Sequence, residues 1–274
     1  LQPMESRPMT VQFDPDTINA KLQATWGAGE YHRVATLVLK PNEDLVERMD
    51  LPAGTTIVDV AAGSGNSALA AARRGIDVLA TDFVADLLDV ARMRAAAEKL
   101  PIRTEAADAQ ALPFGDGRFD AVICCFSAMF AFDQEATAAE MSRVTAPGGK
   151  IGILAWTPDG FIGELFEIIG QFIPPAPGAK SPARWGTAAG LAELFPGHAI
   201  EATRKDYVFR MTDAEAWLDL FVQYYGPTNR ASAAVGDRAD ALRADIKALL
   251  ERMNTAEDHL RLPSAYLEAV LKKP

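Results

Sequence analysis

From residue 56 onward the apolar positions of this chain alternate between short continuous runs and stretches with helical spacing. The runs at 56–60, 77–81, 102–107, 120–126 and 150–156 read as strands. The segments at 66–73, 84–100 and 135–145 read as helices. In the second of these, Val84, Leu87, Leu88, Ala91 and Ala95 fall on one face. Gly75, Pro101 and Pro147-Gly148-Gly149 end the three helices, because glycine and proline oppose continuation of a helical turn. The run at 120–126 is apolar almost throughout, as in a strand covered on both faces. Strands separated in this way by helical segments predict an α/β fold, a parallel sheet with helices on both faces.

The flanks follow other rhythms. Residues 1–16 carry prolines and polar groups and read as an arm. Helical pieces are expected at 17–24, 34–40 and 43–49, the last two broken by Pro41, and Trp26 to Arg33 form an aromatic and glycine-rich patch. After Trp156 the spacing predicts a helix over 160–172, a Pro- and Ala-rich loop over 173–185, a helix over 188–195 and a strand over 199–211. Thr212-Asp213-Ala214-Glu215 reads as a capping box. It opens a helix with Trp217, Leu218, Phe221 and Tyr225 on its apolar face, stopped by Gly226-Pro227. Leu242, Ile246, Leu249 and Leu250 mark another helix. The segment 266–272 reads as an edge strand, with helix as the alternative.

Half of the 274 residues are hydrophobic, enough for a sizeable core. Lys and Arg number 27 against 37 Asp and Glu, a net charge of −10 with no basic block. That composition argues against nucleic acid or an anionic membrane surface as partner, since phosphate binding needs clustered cations. The two cysteines, Cys124 and Cys125, are adjacent in a strand and point to opposite faces. They cannot staple the fold, so a reducing, cytoplasmic setting is expected. His32, His198 and His259 are scattered, and no metal site is expected. The longest apolar run, 121–132, is too short to span a bilayer, and residues 1–10 show no apolar leader pattern.

The chemistry is concentrated at the first predicted strand. Val58-Asp59-Val60-Ala61-Ala62 runs into Gly63-Ser64-Gly65-Asn66 and then a helix. Strand, glycine turn and helix together hold an adenosine-bearing cofactor at the end of a parallel sheet. Gly63 and Gly65 permit positive φ and a close ligand, and the N–H groups of the helix start are expected to face it. Asp82 closes the second strand, where an acid binds ribose hydroxyls. Gly63 to Ala68 also fits the dinucleotide fingerprint, so an NAD(P)-dependent oxidoreductase is the rival, and a cofactor-binding scaffold without chemistry is the non-enzyme alternative. Three features favour S-adenosyl-L-methionine. Asp59 places an acid just before the turn, which suits a cationic ligand and not a pyrophosphate. Asp108 closes the third strand, where its carboxylate can accept an adenine amine while the Ala109 N–H meets a ring nitrogen. No second large catalytic domain follows the fifth strand.

The stretches 58–66, Ala80-Thr81-Asp82-Phe83, Ala107-Asp108-Ala109-Gln110-Ala111-Leu112-Pro113-Phe114, Phe119-Asp120-Ala121-Val122 and 143–150 together resemble the class I S-adenosylmethionine-dependent methyltransferases. Within that family the chain looks closest to the small-molecule branch related to the ubiquinone- and menaquinone-biosynthesis enzymes. The resemblance covers roughly residues 55–156. It implies a Rossmann-like, seven-stranded, mostly parallel sheet with a helical cap. Residues 1–50 would form an N-terminal flap, 51–156 the cofactor-binding core, and 157–274 the rest of the sheet. Strands near 199–211 and 265–272 would close that sheet around a cap at 212–260. Ala61 stands where the family usually has glycine, and as the smallest replacement it is expected to be tolerated. The family pattern implies cofactor contacts from Ala61, Gly63, Ser64 and Gly65, with Phe83 on the adenine face. Trp26 and Tyr31 of the flap are expected to close over the ligand. Phe126, Ser127 and Met129 leave the fourth strand where the methyl group emerges. Trp217 and Tyr225 fall on a core stripe and are expected to be packing residues, and Tyr224, off that stripe, is the cap's candidate for a substrate contact. The expected partner is a small-molecule methyl acceptor. No general base is assigned; His32 and His259 are the imidazole candidates.

Overall fold

The computed structural model describes residues 15–274; the arm expected over 1–16 lies almost wholly outside them. The chain opens with α1 (Pro15–Trp26), α2 (Tyr31–Ala35) and α3 (Leu39–Met49). Pro41 does not divide the last two, contrary to the expectation. It sits in the first turn of α3, where a missing N–H costs nothing because that donor has no partner inside the helix. β1 (Thr56–Val60), α4 (Asn66–Ala72), β2 (Asp77–Asp82), α5 (Ala85–Glu98), β3 (Ile102–Ala106), β4 (Phe119–Cys125), α6 (Gln134–Val144) and β5 (Thr145–Trp156) follow in alternation. Then come α7 (Phe161–Phe172), α8 (Ala188–Leu194), β6 (Ala199–Met211), α9 (Ala214–Tyr224), α10 (Gly226–Ala234), α11 (Ala239–Met253) and β7 (Leu260–Lys272).

The seven strands form one sheet in the order β3-β2-β1-β4-β5-β7-β6. The first five are parallel, and β7 runs antiparallel between β5 and β6. This is the Rossmann-like, mostly parallel sheet expected from the sequence, with one correction at its end. The last segment is not an edge strand, because Leu267, Ala269 and Leu271 are buried with β5 on one side and β6 on the other. The edge is β6, whose residues 201–204 are exposed and mostly polar. Pro263 is tolerated in β7 because β5 ends opposite Tyr266, so that stretch pairs with β6 alone.

The strand order reverses direction between β1 and β4, which opens a crevice at the carboxyl ends of these strands. α9, α10 and α11 pack on one another and on α7, and α1 and α2 reach α10 and α9 respectively. The N-cap of α9 is Asp213, whose Oδ1 accepts from the Ala216 N–H at 2.8 Å, and not Thr212. Glu215, freed from a capping box, instead pairs with Arg243 and Lys247 of α11 at 2.5 and 2.7 Å. Gly226-Pro227 ends α9 and also opens α10, since proline suits the first helical turn.

Candidate cofactor site

At the end of β1 the backbone bends through Ala61, Gly63 and Gly65, at φ of 52°, 55° and 84°. An alanine in the left-handed region costs about 1–2 kcal/mol. Ala61→Gly is therefore expected to stabilise the chain by about 1 kcal/mol, after the added freedom of the unfolded state is subtracted. A thermal melt raised by about 2 °C would show this; a lowered melt would mean that the alanine methyl packs more than it strains.

Asp82, at the end of β2, is buried and holds the bend in place. Its Oδ2 accepts from the Gly63 N–H at 2.9 Å and its Oδ1 from the Val84 N–H at 2.8 Å. Burial pushes its pKa up to about 6, against the lowering effect of the Val84, Gly63 and Phe83 N–H groups. On the far side of the turn, Arg94 of α5 donates to the Ser64 carbonyl at 2.6 Å and to Asn66 Oδ1 at 2.8 Å. Asn66 Nδ2 in turn donates to the Ala35 carbonyl of α2 at 2.8 Å. The glycine turn is thus tied to α5 and to the N-terminal segment.

A cavity lies over this turn. The structure brings together on its wall most of the residues singled out from the sequence. Ala61, Gly63 and Ser64 form the floor, Asp82 and Phe83 one side, and Asp108 and Ala109 another. Trp26, Tyr31 and Phe126 close it, and Ser127 also reaches it. The Tyr31 ring lies against Gly63, where a Cβ would stand 3.4 Å from the ring carbon Cε1. Burial, then the nearby Asp82 and Cys125, push the Tyr31 hydroxyl up to about 12, so it stays protonated. Phe126 adopts φ of 56° as it leaves β4, a strained conformation for an aromatic residue, and stacks on Trp156 with ring centroids 4.2 Å apart.

Two expected contacts are not on the wall. Gly65 faces α5, where a Cβ would come within 2.9 Å of Ala91 Cβ, so its role is close packing of the turn on that helix. Asp59 is fully buried behind the turn. Its Oδ2 accepts from Ser67 Oγ at 2.7 Å, its Oδ1 has no hydrogen-bond partner, and Ser67 itself lines the cavity. Burial raises the Asp59 pKa to about 7, with the Ser67 hydroxyl pulling the other way. Met129 is core. His32 and His259 line neither this cavity nor the one described next.

A second cavity adjoins the first across Trp26, Tyr31, Phe126 and Phe130. Its remaining wall includes Trp156, Phe166, Phe209, Phe221 and Tyr225, with no charged side chain. Here the roles of two neighbours are exchanged from expectation. Tyr225 lines the cavity, whereas Tyr224 turns outward under the Arg33 guanidinium, 4.6 Å from its ring centroid. Trp217 is core, stacked on Phe221. Sequence reasoning missed Asn19, Leu22, Gln110, Phe130 and Cys125 as wall residues. No periodic signal marks them, because their role depends on elements distant in sequence.

The model of the methyltransferase-domain family matches residues 57–149. The Mycobacterium tuberculosis protein Rv1405c, itself uncharacterized, is 38% identical over 232 residues, covering 82% of this chain and 84% of that one. A demethylmenaquinone methyltransferase from Thermus thermophilus is 37% identical over 147 residues, 51% of this chain and 67% of that one. The chain belongs to the class I S-adenosylmethionine-dependent methyltransferases. The solved structure of the Bacillus halodurans protein BH2331 shares the methyltransferase's fold, with a TM-score of 0.61 at 21% identity over 85% of this chain and 98% of that one. The dinucleotide alternative gives way to this membership. Its physical difficulty is the buried acid Asp59 beside the turn where a pyrophosphate would lie. Among the described residues of the methyltransferase, no helix is long and apolar enough to cross a membrane, and no cluster of three His, Cys, Asp or Glu is placed to hold a metal.

Proposed function

We propose that this methyltransferase binds S-adenosyl-L-methionine in the cavity over the glycine turn. From there it passes the methyl group to an O, N or C nucleophile of a small, partly apolar molecule in the adjoining aromatic cavity. The residues present fit the cofactor. Asp82 lines the cavity with carboxylate oxygens able to accept ribose hydroxyls, and Asp108 and Ala109 supply an acceptor and a donor for adenine. The unpartnered Oδ1 of Asp59, behind Ser67, gives the turn the negative potential that a ligand carrying an ammonium and a sulfonium requires. When bound, the cofactor supplies a methyl group already activated on cationic sulfur. The protein's work is then alignment and exclusion of water. Tyr31, Trp26 and Phe130 line both cavities and would set the line along which donor and acceptor meet. Burial pushes Tyr225 well above its ordinary range, so neither tyrosine serves as a base at neutral pH.

The observation that carries this reading is the adjoining cavity, walled by aromatic and aliphatic side chains. An aromatic wall suits a flat apolar acceptor, and the net charge of −10 disfavours a polyanionic one. The Thermus thermophilus relative is named for demethylmenaquinone, which supports the same class. The test is methyl transfer from the cofactor to a panel of quinols, phenols and amines, with calorimetry against S-adenosylhomocysteine and NADH. Tyr225→Ala is expected to raise the acceptor KM at least tenfold and to leave S-adenosylhomocysteine affinity within threefold. Binding of NADH alone, or equal effects of Tyr225→Ala on both ligands, would overturn the assignment of the two cavities.

A further inference from the structure

Asn19, on α1, projects its carboxamide into the cofactor cavity against Asp108. Its Nδ2 donates to Asp108 Oδ2 at 2.9 Å, and its Oδ1 accepts from Gln110 Nε2 at 2.8 Å. Gln110 is itself anchored: its backbone N–H donates to Asp108 Oδ1 at 2.9 Å, and its Oε1 accepts from the Asp133 N–H at 2.8 Å. A donor and an acceptor borne on one carbon are also what the edge of adenine presents, through its exocyclic amine and the neighbouring ring nitrogen.

We infer that Asn19 is a placeholder for adenine: its carboxamide occupies the base's hydrogen-bonding position on Asp108, and it must leave when the cofactor enters. This rests on the proposed reading of Asp108 as the adenine acceptor. The physical logic is satisfaction of a carboxylate. Each donor to a partly buried carboxylate lowers its cost, and Asn19 adds the shortest bond to Oδ2 beside the longer one from Gln110 Nε2 at 3.3 Å, at the expense of competing with the ligand. The geometry of α1 suits such an exchange. Two of its side chains reach the cofactor-side loops, Asn19 on Asp108 and Gln23 on the Phe83 carbonyl. Its C-terminal end is locked to α10, where a Cβ on Gly226 would stand 2.1 Å from the Thr25 carbonyl oxygen, and Arg230 donates to the Ala24 carbonyl at 3.2 Å. The exchange needs only the Asn19 carboxamide to turn away from Asp108, while the end of α1 that carries Trp26 stays in place.

A placeholder and a ligand contact predict opposite signs. Asn19→Ala removes the competitor from an exposed helix in which alanine is the best helix former, so folding is retained. It is expected to tighten S-adenosylhomocysteine binding roughly three- to tenfold, because the binding-competent state no longer competes with the latch, and to speed association by a similar factor in stopped flow. Asn19→Asp, which cannot donate to Asp108, is expected to shift affinity in the same direction. Weaker or unchanged affinity in Asn19→Ala overturns the inference. Asp108→Ala separates the two levels. If it weakens S-adenosylhomocysteine tenfold or more while Asn19→Ala fails to tighten it, only the placeholder falls. If Asp108→Ala leaves affinity unchanged, the adenine assignment falls as well.

Discussion

Replacing Asp82 with alanine is expected to weaken S-adenosylhomocysteine binding about 100-fold or more, or about 3 kcal/mol. Two losses combine. The acceptor lone pairs aimed at the ribose disappear, and the Gly63 and Val84 N–H groups lose the carboxylate that fixes the bend. A buried donor left unpaired costs about 1–3 kcal/mol, and removal of a buried carboxyl group offsets part of this. A net loss of about 2 kcal/mol in folding stability is expected from the same variant. Asp82→Asn keeps one acceptor oxygen and should fall between the two. Calorimetry with S-adenosylhomocysteine and a denaturant melt measure both effects. An alanine variant that binds within threefold of the parent would show that the ribose is held elsewhere.

Acidification is expected to move stability and cofactor affinity in opposite directions. Asp59 and Asp82 are held near 7 and 6 in the folded chain, in both cases chiefly by burial, against about 3.9 for an unfolded aspartate. Between these values the folded state keeps protons that the unfolded state has released. Stability contributed by the two groups is therefore fully present below about pH 4 and is lost as pH rises through 6 and 7. The ligand-free chain should gain on the order of 3 kcal/mol between pH 8 and pH 5 from these groups. A cationic ligand prefers the ionised carboxylates, so its binding expels their protons, and its affinity should drop about tenfold over the same interval. Melts across pH, with calorimetry in buffers of different ionisation heat, report the two trends and the protons released. Affinity that stays flat from pH 8 to 5.5 would mean that neither acid senses the bound cation.

Asp59 is buried beside the turn but lies off the cavity wall. An acid placed one residue before the end of a strand can face either the ligand or the core. Here β1 lies in the middle of the sheet, between β2 and β4, and Asp59 is sealed behind α4 with Ser67 as its link to the cavity. The exchange of Tyr224 and Tyr225 has a similar cause. The apolar stripe of α9 correctly marks Tyr225 as inward-facing, but the space it faces is a cavity and not filled core.

By itself the sequence determined the parallel half of the sheet, the glycine bend, and the acids that close β2 and β3. These depend on alternation, on helix-stopping residues and on local turn chemistry, all of which act over a few neighbouring residues. Only the tertiary structure decided that β7 is interior, that Gly65 serves α5, and that Asn19 and Gln110 share a carboxylate. Asn19 and Asp108 are 89 positions apart, and no period in the chain encodes such a meeting. It follows from the docking of α1 on α10 across the open end of the sheet, where packing of whole elements sets the distances between single atoms.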